Sequence, residues 1–405
     1  MDEDLWKVEE VAMGKPDKTG TIKSAQDRGA SLLTYGLLVG LISTVALVAV
    51  TSPGENTESL FVNVSDSLSG VGGGSGSAGA GAPAPSPDLD CTHPELGAIS
   101  HGSDVTAWEA ATVPFGESCN SETRSCSSSV LSGSFEFATC AVNSAPSGTF
   151  SFTTCGASGA SGPDQSACDS SYSGSDLDGD VTVTAGFQFW TVPATGNWTF
   201  DVRGAQGGYG RDSNPPGGRG ARIVATLSLS AGDQLKIVVG QYGGDYGNSG
   251  GGGGGGSFVA LADNTPLVVA GGGGGGADNN GGGNGNATLT SIGNSGGGGG
   301  NNTAYAGAGF TGDGGGGARA FTSTASGGTS TNNGGFGGGG RGVNDSDGIV
   351  EDHGGGGGGY RGGDGRAFTS GLGGLSFVNT SFGSASTNTS GNNSGDGSVT
   401  ITFSP

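Results

Sequence analysis

Three sets of residues in this chain carry side chains able to do chemistry, and each has a plain structural alternative. Asp176-Leu177-Asp178-Gly179-Asp180 brings three carboxylates close together, the ligand type that a Ca²⁺ ion takes. The order is not that of an EF-hand loop, with glycine at its sixth position and a closing glutamate, so the alternative is a solvated acidic turn. Glu351-Asp352-His353 sets two acids and an imidazole beside a glycine run. No serine elbow or paired base stands near it in sequence, which favours a polar loop over a catalytic centre. The third set is six cysteines, Cys91, Cys119, Cys126, Cys140, Cys155 and Cys168, all beyond residue 90. An even number in an exported segment reads as three disulfides. Cys119 and Cys126 are too far apart for a CxxC redox or zinc pair, so a zinc site with His93 or His101 is the weaker reading. The sequence implies no catalytic residue and no cofactor, and its one metal candidate is the acidic triplet.

What positions these residues is a ladder of glycine runs: 250–256, 271–276, 296–300, 314–317, 337–340 and 354–359. Such runs can form neither an amphipathic helix nor an alternating strand, and ordering them costs more backbone entropy than any other composition. Either they stay flexible, like glycine-rich linkers, or they pack as extended threefold rods whose missing Cβ atoms let backbones approach closely. Composition between the runs favours order, because Ser257–Leu261 and Pro266–Ala270 are apolar strands feeding directly into or out of them. The Gly-x-Gly repeats are not phosphate loops, since no strand-to-helix switch follows them. Tyr242, Tyr246, Phe310, Phe336, Tyr360 and Arg361 stand at or near the run ends, where they either cap rods by packing or meet a ligand.

With 405 residues, several segments are expected. Residues 1–29 form a charged leader, and 30–68 an apolar helix that spans a membrane or extends a filament. Basic residues before that helix and acidic ones after it place the N-terminus in the cytoplasm and the rest outside the cell. Residues 69–90 are a Gly/Ala/Ser/Pro linker, 91–147 a small cysteine module, and 148–405 a glycine-rich domain. Of 15 basic and 36 acidic groups, 10 and 29 lie beyond residue 29. A formal charge of −21 excludes nucleic acid as a partner, because phosphate binding needs clustered cations. Within 148–405, Gly186–Val192 and Trp198–Arg203 flank the turn 193–197 and read as a hairpin. Ile223–Leu229 and Leu235–Val239 add two strands around Ala231-Gly232-Asp233, suggesting an antiparallel sandwich.

Two resemblances add to this. Arg28-Gly29-Ala30-Ser31-Leu32-Leu33-Thr34-Tyr35 is similar to the start of Flp-type (type IVb, tight-adherence) pilins. That implies cleavage between Gly29 and Ala30 by prepilin peptidase, and packing with other pilin subunits through the apolar helix. Tyr35 matches the family tyrosine, but Thr34 replaces its usual glutamate, which points to a minor or tip subunit. Further on, FTTCGASG, VPATGNWTF, RGAQGG, GDQLKIVVGQYGG, PLVVAGGGGGG and GDGSVTITF resemble the glycine-rich extracellular domain of the anaplastic lymphoma kinase and leukocyte tyrosine kinase receptors. This resemblance implies a β-sandwich joined to a bundle of polyglycine helices and a Cys155–Cys168 bridge; the pairing of the other four cysteines stays open. Kinase activity does not carry over, because the chain has no VAIK lysine, HRD or DFG.

The fold class expected is therefore mainly β: an N-terminal transmembrane or pilin-like helix, a small disulfide module, and an antiparallel sandwich joined to polyglycine rods. The function expected is a non-enzymatic extracellular surface protein, a minor or tip pilin-like subunit that displays a rigid head to an unidentified cell-surface or environmental ligand. Its specificity is expected in the loops 278–295, 301–313 and 343–353. The alternative is a single-pass membrane-anchored ligand-binding ectodomain without a kinase.

Overall fold

The computed structural model describes residues 89–211, 215–245, 247, 249–277, 280–289, 305–344, 352–365 and 369–404. All belong to one compact unit, Pro85–Pro405; a second unit, Met1–Ala84, lies outside them. The leader 1–29, the processing pair Gly29–Ala30, the apolar segment 30–68 and the linker to residue 88 thus lie outside the described residues. The expected fold class needs correction at this point. Among the described residues no helix is long and apolar enough to cross a membrane, and the one α-helix is a short polar element elsewhere in the chain.

The described residues open with a small module of short strands: β1 (Cys91–His93), β2 (Gly97–Ile99), β3 (Asp104–Trp108), β4 (Thr112–Val113), β5 (Ser121–Ser127), β6 (Val130–Leu131) and β7 (Ala141–Val142). Its core is little more than Cys91, Ile99 and Cys126, with Leu96, Val105 and Leu131 around them. Too small to hold itself by burial, the module is closed by the Cys91–Cys126 and Cys119–Cys140 disulfides. Arg124 on β5 knits its last loop by donating to the carbonyls of Ser132 (2.6 Å), Phe135 (2.5 Å) and Gly133 (3.3 Å). The module docks where Phe115 meets Phe403 edge-on at 5.4 Å and accepts a hydrogen bond from Thr195 N at 2.9 Å. Gly116, at φ +87°, lies so close to Thr195 that an added Cβ would overlap its carbonyl.

Next come β8 (Thr149–Phe152), helix α1 (Gln165–Tyr172), β9 (Val181–Thr184), β10 (Phe187–Thr191), β11 (Gly196–Arg203), β12 (Gly220–Leu229) and β13 (Gln234–Val238). The chain continues with β14 (Ser257–Leu261), β15 (Pro266–Ala270), β16 (Asn286–Leu289), β17 (Val343–Asn344), β18 (Asp352–His353), β19 (Leu375–Val378), β20 (Gly383–Asn393) and β21 (Ser398–Ser404). Two sheets form a sandwich. One is five-stranded and antiparallel, in the order β20-β12-β11-β21-β8; the other is seven-stranded, β16-β19-β15-β14-β13-β10-β9, antiparallel except for the β16–β19 pair. Their facing sides enclose Phe152, Trp190, Trp198, Phe200, Ile223, Leu227, Leu235, Ile237, Val268 and Ile401.

The expected hairpin does not form. β10 pairs with β9 and β13, whereas β11 pairs with β12 and β21, so the turn at 193–195 carries the chain from one sheet to the other. The link between β12 and β13 crosses in the same way. Ala194 is fully buried in the first crossover and its carbonyl accepts from Trp198 Nε1 at 3.1 Å, which turns the chain inward rather than back along its own sheet.

Strands β11 and β12 alternate buried and partly exposed residues, as a sheet with one covered face requires. In contrast, β13, β14 and β15 are buried at four consecutive positions each. Their second face is covered by an aromatic cluster in which Phe258 stacks on Phe321 at 5.1 Å, Phe310 on Phe321 at 4.9 Å, and Tyr360 on Phe377 at 4.2 Å.

The remaining chain builds rods, and 250–256 shows their rule. Gly251 and Gly254 donate to Gly276 O and Gly273 O, each at 2.8 Å. Gly252 and Gly255 donate to Gly244 O and Gln241 O, each at 2.9 Å; Gly253 and Gly256 donate to Gly340 O (2.8 Å) and Gly337 O (2.9 Å). Three neighbours are met in turn and every third residue returns to the same one, the period of polyproline II rather than of a strand or helix. The carbonyls repeat the pattern, with Gly251 and Gly254 accepting from Gly355 N and Gly358 N at 2.9 Å. Further rods come from stretches that are not pure glycine, such as 204–208 and 240–244. Not every run becomes a rod. Gly316 and Gly317 turn with φ of 60° and 93°, as do Gly337 and Gly338 with 99° and 81°, while 296–300 lies outside the described residues.

Two expectations follow. Replacing Gly253 with alanine places a Cβ on Gly356 O, with backbone on both sides and no flexible group to yield. This change destabilises the unit by more than about 2 kcal/mol in denaturant titration. Gly247→Ala, with nothing within 4 Å of the new Cβ, stays within about 0.5 kcal/mol. Opening the Cys91–Cys126 bridge with paired serines makes 91–142 sensitive to limited proteolysis while the sandwich stays protected.

Candidate functional site

Each chemistry-bearing residue singled out in the sequence has a definable local task. Helix α1 begins at Asp164, whose side chain accepts from Ala167 N at 2.9 Å, and it buries Cys168 and Tyr172 on one face. Cys168 is bonded to Cys155, and the Tyr172 hydroxyl lies 2.6 Å from Gln188 Oε1. The turn after α1 holds the acidic triplet. Leu177 anchors it in the core, while Asp176, Asp178 and Asp180 are exposed. Asp176 Oδ2 accepts from Thr149 N and Asp178 Oδ2 from Gly174 N, both at 2.8 Å, so the two carboxylates serve different backbone amides. Among the described residues no group of three or more His, Cys, Asp or Glu side chains is placed to hold a metal ion. Both histidines of the small module are likewise engaged. His93 Nδ1 accepts from Leu96 N at 3.3 Å, and His101 Nδ1 from Ser128 N at 3.0 Å.

The Glu351-Asp352-His353 cluster divides. Glu351 lies outside the described residues, while Asp352 and His353 form β18 and pair with β17. Asp352 is fully buried, with Arg211 Nε 3.2 Å from its Oδ2, so the charge is offset by a guanidinium. His353 is 3 % exposed and stacks on Tyr305 at 4.8 Å with the rings 9° apart. The Arg341 guanidinium lies 5.9 Å from the same tyrosine ring. This cluster ties together segments that start or end rods. The sequence reading missed Arg211, Tyr305 and Arg341, because no spacing pattern links residues from such distant stretches.

The aromatic residues at the run ends also separate. Phe310, Phe336 and Tyr360 are buried in the cluster beneath the seven-stranded sheet and fasten the rods to it. Tyr242 donates to Asp245 Oδ2 at 3.1 Å; burial first, and then the adjacent carboxylate, push its phenol up. Arg361 is exposed and Tyr246 lies outside the described residues. Of the loops 278–295, 301–313 and 343–353, only parts are described. Within the aromatic cluster sits a cation that the sequence reading did not mark. Lys236 on β13 is 9 % exposed, with Nζ 4.0 Å from the Phe187 ring centre, 4.7 Å from that of Phe321, and 2.9 Å from Asn264 Oδ1. Burial lowers its affinity for the proton.

A polar hollow of about 640 Å³ opens among the rods and is lined by Gln206, Tyr209, Arg219, Asn284 and Ser394 with glycine backbone between them. It offers hydrogen-bond donors and acceptors and one guanidinium, a recognition surface rather than an acid–base pair.

No known family model matches the chain. Over 93 residues, 22% of the chain, it is 40% identical to the leukocyte tyrosine kinase receptor of Mus musculus. The match covers 10% of that receptor, so the chain spans a small part of the relative it resembles. This accords with the glycine-rich resemblance, and none of these findings supports the pilin-like reading of the N-terminus.

The buried lysine gives a pH prediction with a definite sign. Its proton affinity is lower in the folded chain, so just below the ordinary lysine value of about 10.4 the unfolded chain binds more protons. Stability contributed by this group therefore rises with pH in that range, as the cost of burying the charge disappears. Denaturant titrations of the parent and Lys236→Met, compared from neutral pH to about 10.4, show this rise in the parent and lose it in the variant.

Proposed function

We propose that the chain is an extracellular, non-catalytic ligand-binding ectodomain whose glycine lattice holds recognition loops in fixed positions. The observation that carries this reading is the direct continuation of strands into rods. β11, β13 and β15 run into rods, and β12, β14, β16 and β19 emerge from them, so both sheets feed one backbone-bonded lattice. A lattice whose packing faces are bare backbone supplies no general acid, base or nucleophile; what it supplies is rigid placement of whatever projects from its ends. Three disulfides and the similarity to part of a tyrosine kinase receptor support an extracellular setting. A charge of −21 suits an exposed surface that resists self-association. The partner is a cell-surface or environmental ligand.

The reading is tested with the purified, fluorescently labelled full chain on cells of its own source and on neighbouring species. Saturable binding, competed by unlabelled chain and reduced at least tenfold by Gly253→Ala at a temperature where the rest of the fold persists, is the expected result. Binding that never saturates on any surface sinks it.

A further inference from the structure

The polar hollow beside the lattice is built rather than incidental. Gln206, 8 % exposed, braces it from within: its Nε2 donates to Gly217 O at 3.4 Å and its Oε1 accepts from Gly395 N at 3.1 Å. Asn284 Oδ1 accepts from Arg219 N at 2.9 Å, which fixes both residues on the same rim. The remaining half of that amide leans over Gly391. At φ +61° and with an added Cβ that would strike Asn284 Nδ2, Gly391 leaves the room the amide occupies. Among the described residues neither Asn284 Nδ2 nor the Arg219 guanidinium has a hydrogen-bond or ion-pair partner. Tyr209, half-buried, and Pro216 supply the carbon surface, and the glycine backbone of the adjoining rods supplies much of the rest of the lining.

From this arrangement we infer that the hollow binds a carboxylate-bearing saccharide, a hexuronate unit, with its carboxylate on Arg219 and its hydroxyls on Asn284 and the rod backbone. A guanidinium grips a carboxylate through two parallel N–H bonds, and a sugar ring presents both hydroxyls and a carbon face for Tyr209. A volume of about 640 Å³ accommodates one or two such rings. Charge decides against phosphate. One guanidinium in a chain of −21 matches a single negative charge, whereas a phosphate dianion calls for further cations. The lining decides against an apolar ligand, since the Arg219 guanidinium, Asn284 Nδ2 and the Ser394 hydroxyl would each lose water without a partner.

This inference rests on the ectodomain reading and is tested apart from it. Isothermal titration of the full chain with digalacturonate is expected to give saturable binding that weakens as salt rises, while the neutral disaccharide maltose binds at least tenfold more weakly. Arg219→Ala weakens digalacturonate binding about tenfold or more, and Gly391→Ala weakens it by displacing Asn284. Arg319→Ala, which removes an exposed pair with Asp313 away from the hollow, leaves it unchanged. Thermal melting confirms that Arg219→Ala remains folded. Absence of a saturable isotherm, or equal affinity in Arg219→Ala, overturns the inference. If the chain still binds cells in either case, the ectodomain reading survives; if the parent binds no surface, that reading falls independently.

Discussion

Everything in this unit depends on the approach of one peptide backbone to another with nothing between them. A Cβ added at Gly253, Gly273 or Gly275 would overlap a carbonyl of the adjoining rod, so these backbones meet at a separation no other residue permits. Ordering glycine is entropically expensive, and a single amide–carbonyl bond contributes only about 1 kcal/mol net. The lattice is stable because the cost is spread over a cooperative array. Each rod residue is bonded to a different neighbour from the next, and no rod can leave without unmaking several others. The aromatic cluster under the seven-stranded sheet then couples the array to an ordinary apolar core, through Phe310, Phe321, Phe336 and Tyr360.

The sandwich and the lattice are complementary answers to one difficulty. A sheet must cover both faces or leave one wet, and polyglycine has no side chains with which to cover anything. Here the five-stranded sheet covers one side of its seven-stranded partner, while aromatic residues borne on the rod segments cover the other. The small module follows different physics. With three residues in its buried cluster it is closed covalently, and it meets the sandwich through Phe115 on Phe403, the Thr195–Phe115 backbone bond and the close approach of Gly116 to Thr195.

Parts of this organisation were legible in the residues. The apolar stretches at 257–261 and 266–270 stand out because the glycine around them removes every competing pattern, and β14 and β15 occupy them. The threefold packing was one of two open physical outcomes, and no single-residue propensity separates them. The direction of the turns at 193–195 and 230–233 was hidden, because hairpins and sheet-to-sheet crossovers use the same small and polar residues; burial of Ala194 turns the first of them inward. Helix α1 was missed because its only apolar signal is the spacing of Cys168 and Tyr172, which is too slight beside a polar composition. Rods without pure glycine, such as 204–208, were also missed, since Ala205 and Gln206 interrupt the glycine pattern yet are buried within the packed rods. Residues gathered from distant segments, such as Asp352 with Arg211, carry no local signature at all.

The closeness of the rods also governs how such a protein can change over time. Substitution at an internal glycine collides with a neighbour's peptide group, so drift there is suppressed by geometry rather than by any role in recognition. The rim positions around Arg219 and Asn284 face solvent and escape that restriction. Diversity is thus channelled to the margins of an almost immutable interior, and a lineage could exchange one partner for another without renegotiating its fold.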